Sequence, residues 1–330
     1  MKGSKFSQQR DKSFERFRYV MAGSLGTGII IMIVLFVFHP LDVIEQYATQ
    51  QSFSAMEAQI CNTQPVSENN SKIVILTFDD SRKSQSQYAE PILQKCGFKA
   101  TFFTVCNFIG QDSTRMTWDD IATLQSQGND IESHTMNHYD LIHLSMADLD
   151  YEVGQSQKCL LEHHVNSTIF ASPYGDGAGN KTIIDTVSKY YMLGREGYAP
   201  LMYLHCDEWK TFTHQTDCRT YSDDGQPNFA SRYSIRAWDH NYYDIYFNHN
   251  DTRTFSEFVN EVNAEAKFNV NETRAIPVIV YHDVSFNENQ YNTDPDLFSK
   301  EMNYLSQNGF KVITMADLGY DTKSNHLYVK

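Results

Sequence analysis

Short apolar runs alternate with helical segments along residues 72–318. The runs Ile73–Phe78 and Pro277–Tyr281 are continuous and rich in β-branched residues, which is typical of strands buried on both faces of a parallel sheet. Shorter runs predict six further strands, at residues 100–105, 130–133, 168–171, 191–194, 233–237 and 311–314. Helical periodicity lies between most of them, at residues 88–96, 117–128, 146–163, 181–189, 254–266 and 296–307. This alternation predicts an α/β fold, a distorted (β/α) barrel of seven or eight strands, with a doubly wound open sheet as the alternative.

The first 71 residues follow a different pattern. Tyr19–Phe38 contains 20 residues without a charge, enough to cross a bilayer as one helix. Residues 1–18 hold six basic and two acidic side chains. The positive-inside rule therefore predicts that they form a cytoplasmic tail. Residues 19–38 would be a transmembrane signal anchor, and the domain at 72–330 would lie on the outer side of the membrane. Residues 39–71 are predicted to be a stalk or linker. A cleaved signal peptide and a buried core helix are the alternatives, but no small-residue cleavage site follows.

Charge and cysteine content narrow the possible partners. The net charge of −14 argues against a nucleic-acid backbone as a partner. Six cysteines on the outer side of a membrane can form disulfides, although their pairing cannot be read from the sequence. Cys206 and Cys218 share the polar segment 199–230, a predicted loop insertion, and are the first pair to test. Free buried thiols are the alternative for the other four, Cys61, Cys96, Cys106 and Cys159.

Polar side chains follow several of the predicted strands. Asp79 and Asp80 come after the first strand, His134 and His138 after the third, and His282 after the seventh. Function gathers at the carboxyl ends of the strands in both candidate folds, so we expect these side chains to lie close together. The two carboxylates also need a partner, because an unpaired buried carboxylate is costly.

A metal ion would supply that partner. Histidines four residues apart in a helical turn place both rings on one side, as two ligands of one ion require. One carboxylate would complete a His₂Asp set, which suits Zn²⁺ or Fe²⁺ and leaves positions open for water and substrate. The other carboxylate could accept a proton from an activated water. The alternatives are that either aspartate only caps the next helix, and that His282 is a hydrogen-bonded core residue.

Four segments resemble, in order, motifs of the NodB-type polysaccharide deacetylases, which form carbohydrate esterase family 4. They are Thr77–Asp80, His134–His138, Pro173–Gly175 and Val280–His282. The combination is specific, although each segment alone is short. The resemblance covers about residues 72–318. It implies a distorted (β/α) barrel that removes N- or O-acetyl groups from glycans.

The resemblance also implies a role for each motif residue. Asp79 would be the general base, and His282 the general acid that protonates the leaving amine. Tyr174 would donate its backbone N–H to the oxyanion of the tetrahedral intermediate. The three residues implied as ligands of the metal, usually zinc, are Asp80, His134 and His138.

One motif departs from the family pattern. The third motif usually opens with an arginine that orients the base, whereas this chain has Ala171 at that position. If another residue holds Asp79, Arg195 after the fifth strand is the first candidate and Arg236 is a weaker one.

The sequence therefore predicts a membrane-anchored hydrolase that depends on a divalent metal, with Zn²⁺ as the expected ion. It would remove acetyl groups from an N- or O-acetylated carbohydrate by attack of a metal-activated water. Its expected partners are the acetylated glycan and the membrane. Two alternatives remain: a glycan-binding protein of the same fold that has lost catalysis, which Ala171 motivates, and a metal-dependent hydrolase of another ester or amide.

Overall fold

The computed structural model describes most of residues 72–330. The described positions are 61, 72–175, 177, 180–197, 201–204, 231–240, 251–269, 272–287, 291–324 and 326–330. No helix among them is long and apolar enough to span a bilayer. The predicted tail at 1–18, the predicted anchor at 19–38 and nearly all of the linker at 39–71 lie outside the described residues, as do Cys206 and Cys218.

Strands and helices alternate through the described residues. The strands are β1 (Ile73–Phe78), β2 (Thr101–Thr104), β3 (Asp130–Ser133), β4 (Ile169–Ala171), β5 (Leu193–Arg195), β6 (Leu201–Tyr203), β7 (Trp238–Asp239), β8 (Ala275–Tyr281), β9 (Asp283–Val284), β10 (Asn292–Thr293), β11 (Lys311–Ile313), β12 (Leu318–Asp321) and β13 (His326–Val329). The helices are α1 (Glu90–Cys96), α2 (Trp118–Ser126), α3 (Met146–Asp150), α4 (Ser156–Glu162), α5 (Lys181–Val187), α6 (Asp251–Val262) and α7 (Pro295–Gln307). A π-helical turn at Tyr151–Gln155 joins α3 to α4, within the segment predicted as one helix.

The central sheet is parallel and runs in the order β5-β4-β3-β2-β1-β8. β1 lies between β2 and β8, and β11 pairs with its first half. A doubly wound sheet reverses its strand order at a switch point, whereas this order is sequential, as in a (β/α) barrel. The prediction of a parallel α/β fold with a barrel-like sheet is confirmed.

The sheet curls until its two ends are linked by a short segment. Ile235 forms an isolated bridge to Arg195 at the end of β5, and β7 then pairs with the C-terminal half of β8. The crossing is close at Gly194, where a Cβ atom would lie 2.9 Å from the carbonyl oxygen of Tyr233. Glycine at this position therefore permits the contact that brings β7 to β8.

The predictions are wrong at several short elements. Residues 231–233 form a 3₁₀ turn that overlaps the first residue of the strand predicted at 233–237, and the strand itself comes later, as β7. β6 lies in the segment 199–230 predicted as a loop, and it pairs antiparallel with β8. The hairpin of β12 and β13 has no counterpart in the prediction. Each of these short strands depends on pairing with other segments more than on its own sequence.

The side chains of β1 show why the sheet forms around this strand. Residues 74–76 are completely buried. Phe78 stacks against Phe102 of β2 and Tyr281 of β8, with ring centroids 4.8 and 5.4 Å apart. These stacks fix β1 against both neighbours immediately before the chain reaches the first of its two carboxylates.

Two disulfides attach outer segments to this core. Cys61 is bonded to Cys96, the last residue of α1, and Cys106 is bonded to Cys159 of α4. These four cysteines are therefore paired, and the free-thiol alternative is wrong for them.

Candidate active site

Both aspartates leave the sheet at the carboxyl end of β1, but their backbones differ. The Asp79 N–H donates to the Tyr281 carbonyl of β8 at 2.9 Å, so Asp79 continues the line of the strand. Asp80 and Ser81 have positive φ angles of 73° and 57°. A left-handed backbone costs about 1–2 kcal/mol for a residue with a Cβ atom, and residues held in this way cluster at functional sites. The turn directs Asp80 away from the strand.

His134 and His138 lie in a loop after β3, and the predicted helical turn is wrong. Thr135 and His138 have positive φ angles of 73° and 60°, which no α-helix contains. The His138 N–H donates to Thr135 Oγ1 at 2.8 Å. The two rings nevertheless meet, with centroids 4.8 Å apart.

The neighbouring strand end holds this histidine loop. The backbone N–H groups of Cys106 and Asn107 donate to the carbonyls of Thr135 and Met136, at 3.1 and 2.9 Å. The disulfide from Cys106 to Cys159 fixes the donor segment to α4. Tertiary contacts, and not helical periodicity, therefore position the two rings.

Asp80, His134 and His138 form a cluster suited to a metal ion. Asp80 Oδ1 lies 3.2 Å from His138 Nε2 and 3.8 Å from His134 Nε2, and all three donor atoms lie within 4.8 Å of one another. Ligands about 2.0–2.1 Å from a tetrahedral ion are about 3.4 Å apart, so this spacing fits a zinc-sized cation. Asp80 Oδ1 is buried and accepts no hydrogen bond from the part of the chain that the structure describes. His134 Nδ1 contacts the Ala171 carbonyl at 2.8 Å, which turns Nε2 towards the cluster.

The protonation states also fit a metal site. Burial lowers the pKa of His134 to about 4, so its ring is neutral near pH 7, the form that binds metals. Burial alone would raise the pKa of Asp80, but the proximity of His138 and the charge of His282 lower it overall. Asp80 is therefore ionised, as a ligand must be.

The guanidinium that reaches Asp79 is that of Arg195, as predicted. Arg195 Nη2 donates to both carboxylate oxygens, with 2.6 Å to Oδ2. Both side chains are buried, at 3% and 4% exposure. Burial raises the pKa of Asp79, but the charges of Arg195, His134 and His282 together outweigh this effect, so the pKa is lowered. Arg195 pairs in register with Ala171 of β4, so the adjacent strand supplies the cation that the third motif usually carries.

His282 follows β8 and faces a carboxylate that the sequence analysis did not identify. Its Nδ1 lies 3.9 Å from Oδ1 of Asp239, the last residue of β7. Burial lowers the pKa of His282, but the carboxylates of Asp239, Asp80 and Asp79 raise it above its ordinary value overall. The one sequence signal for Asp239 is its place after Trp238, at the end of a short apolar stretch.

Tyr174 lies at the rim of the metal-ligand cluster. It follows β4 in a 3₁₀ turn, with φ 59° and ψ 6°. Its side chain is 59% exposed, and its ring meets the His138 ring edge-on at 4.8 Å. The structure thus brings all six predicted site residues to one edge of the sheet. Their chemical roles stay predictions.

Residues 67–192 match the family profile described as polysaccharide deacetylase. By sequence, this segment is similar to the polysaccharide deacetylases. It contains β1 to β4 and five of the six predicted site residues. The resemblance found from the motifs is confirmed, while His282 and Arg195 lie beyond the matched segment.

Two curated relatives match a similar part of the chain. YxkH of Bacillus subtilis (strain 168), whose name assigns it to the polysaccharide deacetylases, is 33% identical over 127 residues, or 38% of this chain and 44% of YxkH. A gellan lyase of a Bacillus species is 31% identical over 122 residues, or 36% of this chain and 4% of the lyase. The chain therefore spans less than half the length of these two relatives.

Solved structures of a deacetylase and of a carbohydrate esterase are also similar to the chain. Streptococcus pyogenes deacetylase PplD, in complex with acetate, has a TM-score of 0.38 and 25% identity, over 46% of this chain and 64% of PplD. A family 4 carbohydrate esterase from Streptomyces lividans, in complex with acetate, has a TM-score of 0.47 and 14% identity, over 78% of this chain and 98% of the esterase.

Replacing Asp80 should remove bound metal. We expect Asp80→Ala to lower the Zn²⁺ affinity by more than about 100-fold, because even outer partners of metal ligands contribute about 10–100-fold. Equilibrium dialysis with metal analysis would measure this loss. Asp140→Ala is the matched control, because Asp140 pairs with the exposed His143. Stoichiometric zinc in Asp80→Ala would show that the ligand assignment is wrong.

Proposed function

We propose that this chain is a metal-dependent hydrolase that removes acetyl groups from an N- or O-acetylated carbohydrate. One observation carries the proposal: two charged pairs and the His₂Asp cluster meet at one edge of the sheet. The pairs are Asp79 with Arg195 and His282 with Asp239. The match of residues 67–192 to the polysaccharide deacetylase profile supports acetylated carbohydrate as the substrate class.

Asp80, His134 and His138 would hold the metal ion. Three protein ligands with open positions are typical of catalytic zinc sites, whereas structural sites have four. When bound, a divalent cation supplies Lewis-acid polarisation of the acetyl carbonyl and lowers the pKa of water. Zn²⁺ is the proposed ion, because two imidazoles and one carboxylate with close tetrahedral spacing suit it.

Asp79 is the proposed general base. Its Oδ2 lies 3.8 Å from His134 Nε2, but both of its oxygens accept hydrogen bonds from Arg195, so the carboxylate borders the cluster and is not proposed as a ligand. In this position Asp79 can accept the proton of the water that attacks the acetyl carbonyl. Arg195 keeps Asp79 ionised and fixes the direction of its oxygens, because a guanidinium presents its donors in a rigid plane.

His282 is the proposed general acid. It would donate a proton to the sugar nitrogen or oxygen as the bond to the acetyl carbon breaks. Asp239, 3.9 Å from His282 Nδ1, stabilises the protonated imidazole that this step requires. The Tyr174 backbone N–H is the proposed donor to the oxyanion, since its turn lies beside the ligand His138.

A glycan-binding protein that has lost catalysis is the main alternative. Ala171 motivates it, because the family arginine at that position is missing. The contact of Arg195 with Asp79 weakens this motive, because the base still has a guanidinium partner. A hydrolase of another ester or amide would use the same residues, so only the substrate separates it from a deacetylase.

We also propose that residues 19–38 anchor the protein in a membrane, with residues 1–18 in the cytoplasm and the hydrolase domain outside. The uncharged 20-residue segment and its basic flank support this arrangement. In cell fractionation, the full chain should stay in the membrane pellet after a salt wash. A variant without residues 1–38 should move to the soluble fraction. A full chain that is released by salt would contradict the anchor.

Acetate release tests the proposed activity. The full chain, purified in detergent and loaded with Zn²⁺, should release acetate from N-acetylated chito-oligosaccharides, and a chelator should abolish this release. His282→Ala should lower kcat by about 10²–10⁴-fold, the usual contribution of a general acid, and keep its zinc. If zinc-loaded protein released no acetate from the oligosaccharide or from an acetyl ester, the binding-protein alternative would be favoured. Release from the ester alone would indicate a different hydrolase.

Arg195→Ala should reduce activity more than the loss of any other nearby arginine outside the motifs. Removing one partner of a buried ion pair lowers the free energy of unfolding by about 3–5 kcal/mol. The remaining carboxylate also loses its orientation as the base, so we expect kcat to fall by about 100-fold or more. Steady-state kinetics and circular dichroism would separate this effect from unfolding. Arg236→Ala is the matched control, because Arg236 is the weaker candidate from the sequence. A normal kcat in Arg195→Ala would show that the pair does not orient the base.

A further inference from the structure

Two arginines lie beside Asp80, on the side away from the histidines. Asp80 Oδ1 faces His138, whereas Oδ2 lies 3.8 Å from Arg82 Nη2. Arg115 Nη1 donates to the backbone carbonyl of Asp80 at 2.6 Å. The Arg82 side chain is 37% exposed, and its Nε is buried without a hydrogen-bond partner among the described residues. The two guanidinium groups form a cationic edge next to the candidate metal site.

The fold holds these like charges together. The backbones of Arg82 and Arg115 form an isolated antiparallel bridge. The Arg115 guanidinium lies 4.1 Å from the centre of the Phe108 ring, which stacks on the ring of His138. The Arg115 guanidinium is thus held in place from two sides, while the Arg82 side chain reaches solvent next to it.

Arg82 has hydrogen-bond donors that the described residues do not use. Three carboxylates, Asp80, Asp112 and Asp283, offset the charge of Arg115, and Asp112 also faces Arg82. The Arg82 Nη2 atom, however, lies 3.8 Å from Asp80 Oδ2, which is beyond hydrogen-bond distance, and its Nε has no partner among the described residues. An anionic oxygen of a ligand could accept hydrogen bonds from these N–H groups.

We propose that Arg82 and Arg115 form an anion subsite for a carboxylate on the sugar next to the acetylated one. The substrate class would then be an acidic polysaccharide that contains acetylated sugars and uronic acids. This inference rests on the proposed deacetylase function and adds a substrate preference to it.

The chemistry of the subsite favours a carboxylate. A guanidinium presents its N–H donors in a planar fork that matches the two oxygens of a carboxylate. The chain as a whole carries a net charge of −14, so an acidic polysaccharide is repelled by most of its surface. A local pair of cations at the site would direct such a chain to the one place where it can react.

A matched pair of substrates tests the subsite. Hyaluronan oligosaccharides alternate N-acetylglucosamine with glucuronic acid, and reduction of their carboxyl groups gives the neutral counterpart. We expect the kcat/KM of the zinc-loaded full chain to be about tenfold higher on the acidic form, as a charge-assisted hydrogen bond provides. Arg82→Gln should remove most of this ratio and Arg82→Lys should keep part of it. High salt should reduce the ratio in the unmodified chain.

The control variant is Lys83→Gln. Lys83 is the next cation along the chain, but its Nζ donates to both oxygens of Asp120, at 2.7 and 2.6 Å, so its loss should leave the substrate ratio intact. Calorimetric binding of the two oligosaccharides provides a readout that does not need turnover. If neither oligosaccharide released acetate but the acidic one bound more tightly through Arg82, the deacetylase function would fail and the subsite would stand.

Two results would overturn the subsite. One is equal binding and equal kcat/KM for the acidic and neutral oligosaccharides, with acetate released from both. The other is an Arg82→Gln variant that keeps the ratio but changes its zinc affinity. In that case, the two arginines would only balance the charge of Asp80.

Discussion

The buried ion pair between Asp79 and Arg195 is the contact on which the candidate site depends. An ionised carboxylate this deeply buried is too costly without a partner. A buried pair, however, adds little net stability compared with apolar side chains of similar volume. The pair is therefore better explained by what it orients. It fixes one carboxylate in the line of the central strand, and the left-handed turn at the next residue directs Asp80 towards the histidines.

The strongest elements of the fold could be predicted because their burial is visible in local sequence. β1 and β8 are continuous β-branched runs, and they pair side by side in the sheet. β7 could not be predicted in the same way, because it has two residues and depends on β8 and on the bridge between Ile235 and Arg195. Local propensity contains no information about such pairing. The same limit applies to β6, which pairs with β8 although its sequence predicts a loop.

In the candidate site, too, local sequence predicts some features, whereas others depend on tertiary contacts. Strand ends and motif spacing were sufficient to select the residues that meet there, because parallel strands bring their carboxyl ends together. The backbone conformation of the histidine loop could not be predicted from the sequence, because two left-handed residues and hydrogen bonds from the segment after β2 determine it. Asp239 was missed for a related reason. It faces His282 because β7 pairs with β8, and no spacing in the sequence reports that pairing.

The position of Arg195 shows what the family motif constrains in physical terms. Neighbouring strands lie about 4.8 Å apart, a distance that an arginine side chain can span. Arg195 has the register position on β5 that Ala171 has on β4, so a guanidinium can reach Asp79 from either strand. The constraint is therefore that a guanidinium lies beside Asp79 in space, whichever of the two strands carries the arginine. Ala171 also orients a side chain of the candidate site, because its carbonyl contacts His134 Nδ1. β4 thus orients a proposed metal ligand while β5 orients the proposed base, and a missing arginine in the third motif is not by itself evidence of lost catalysis.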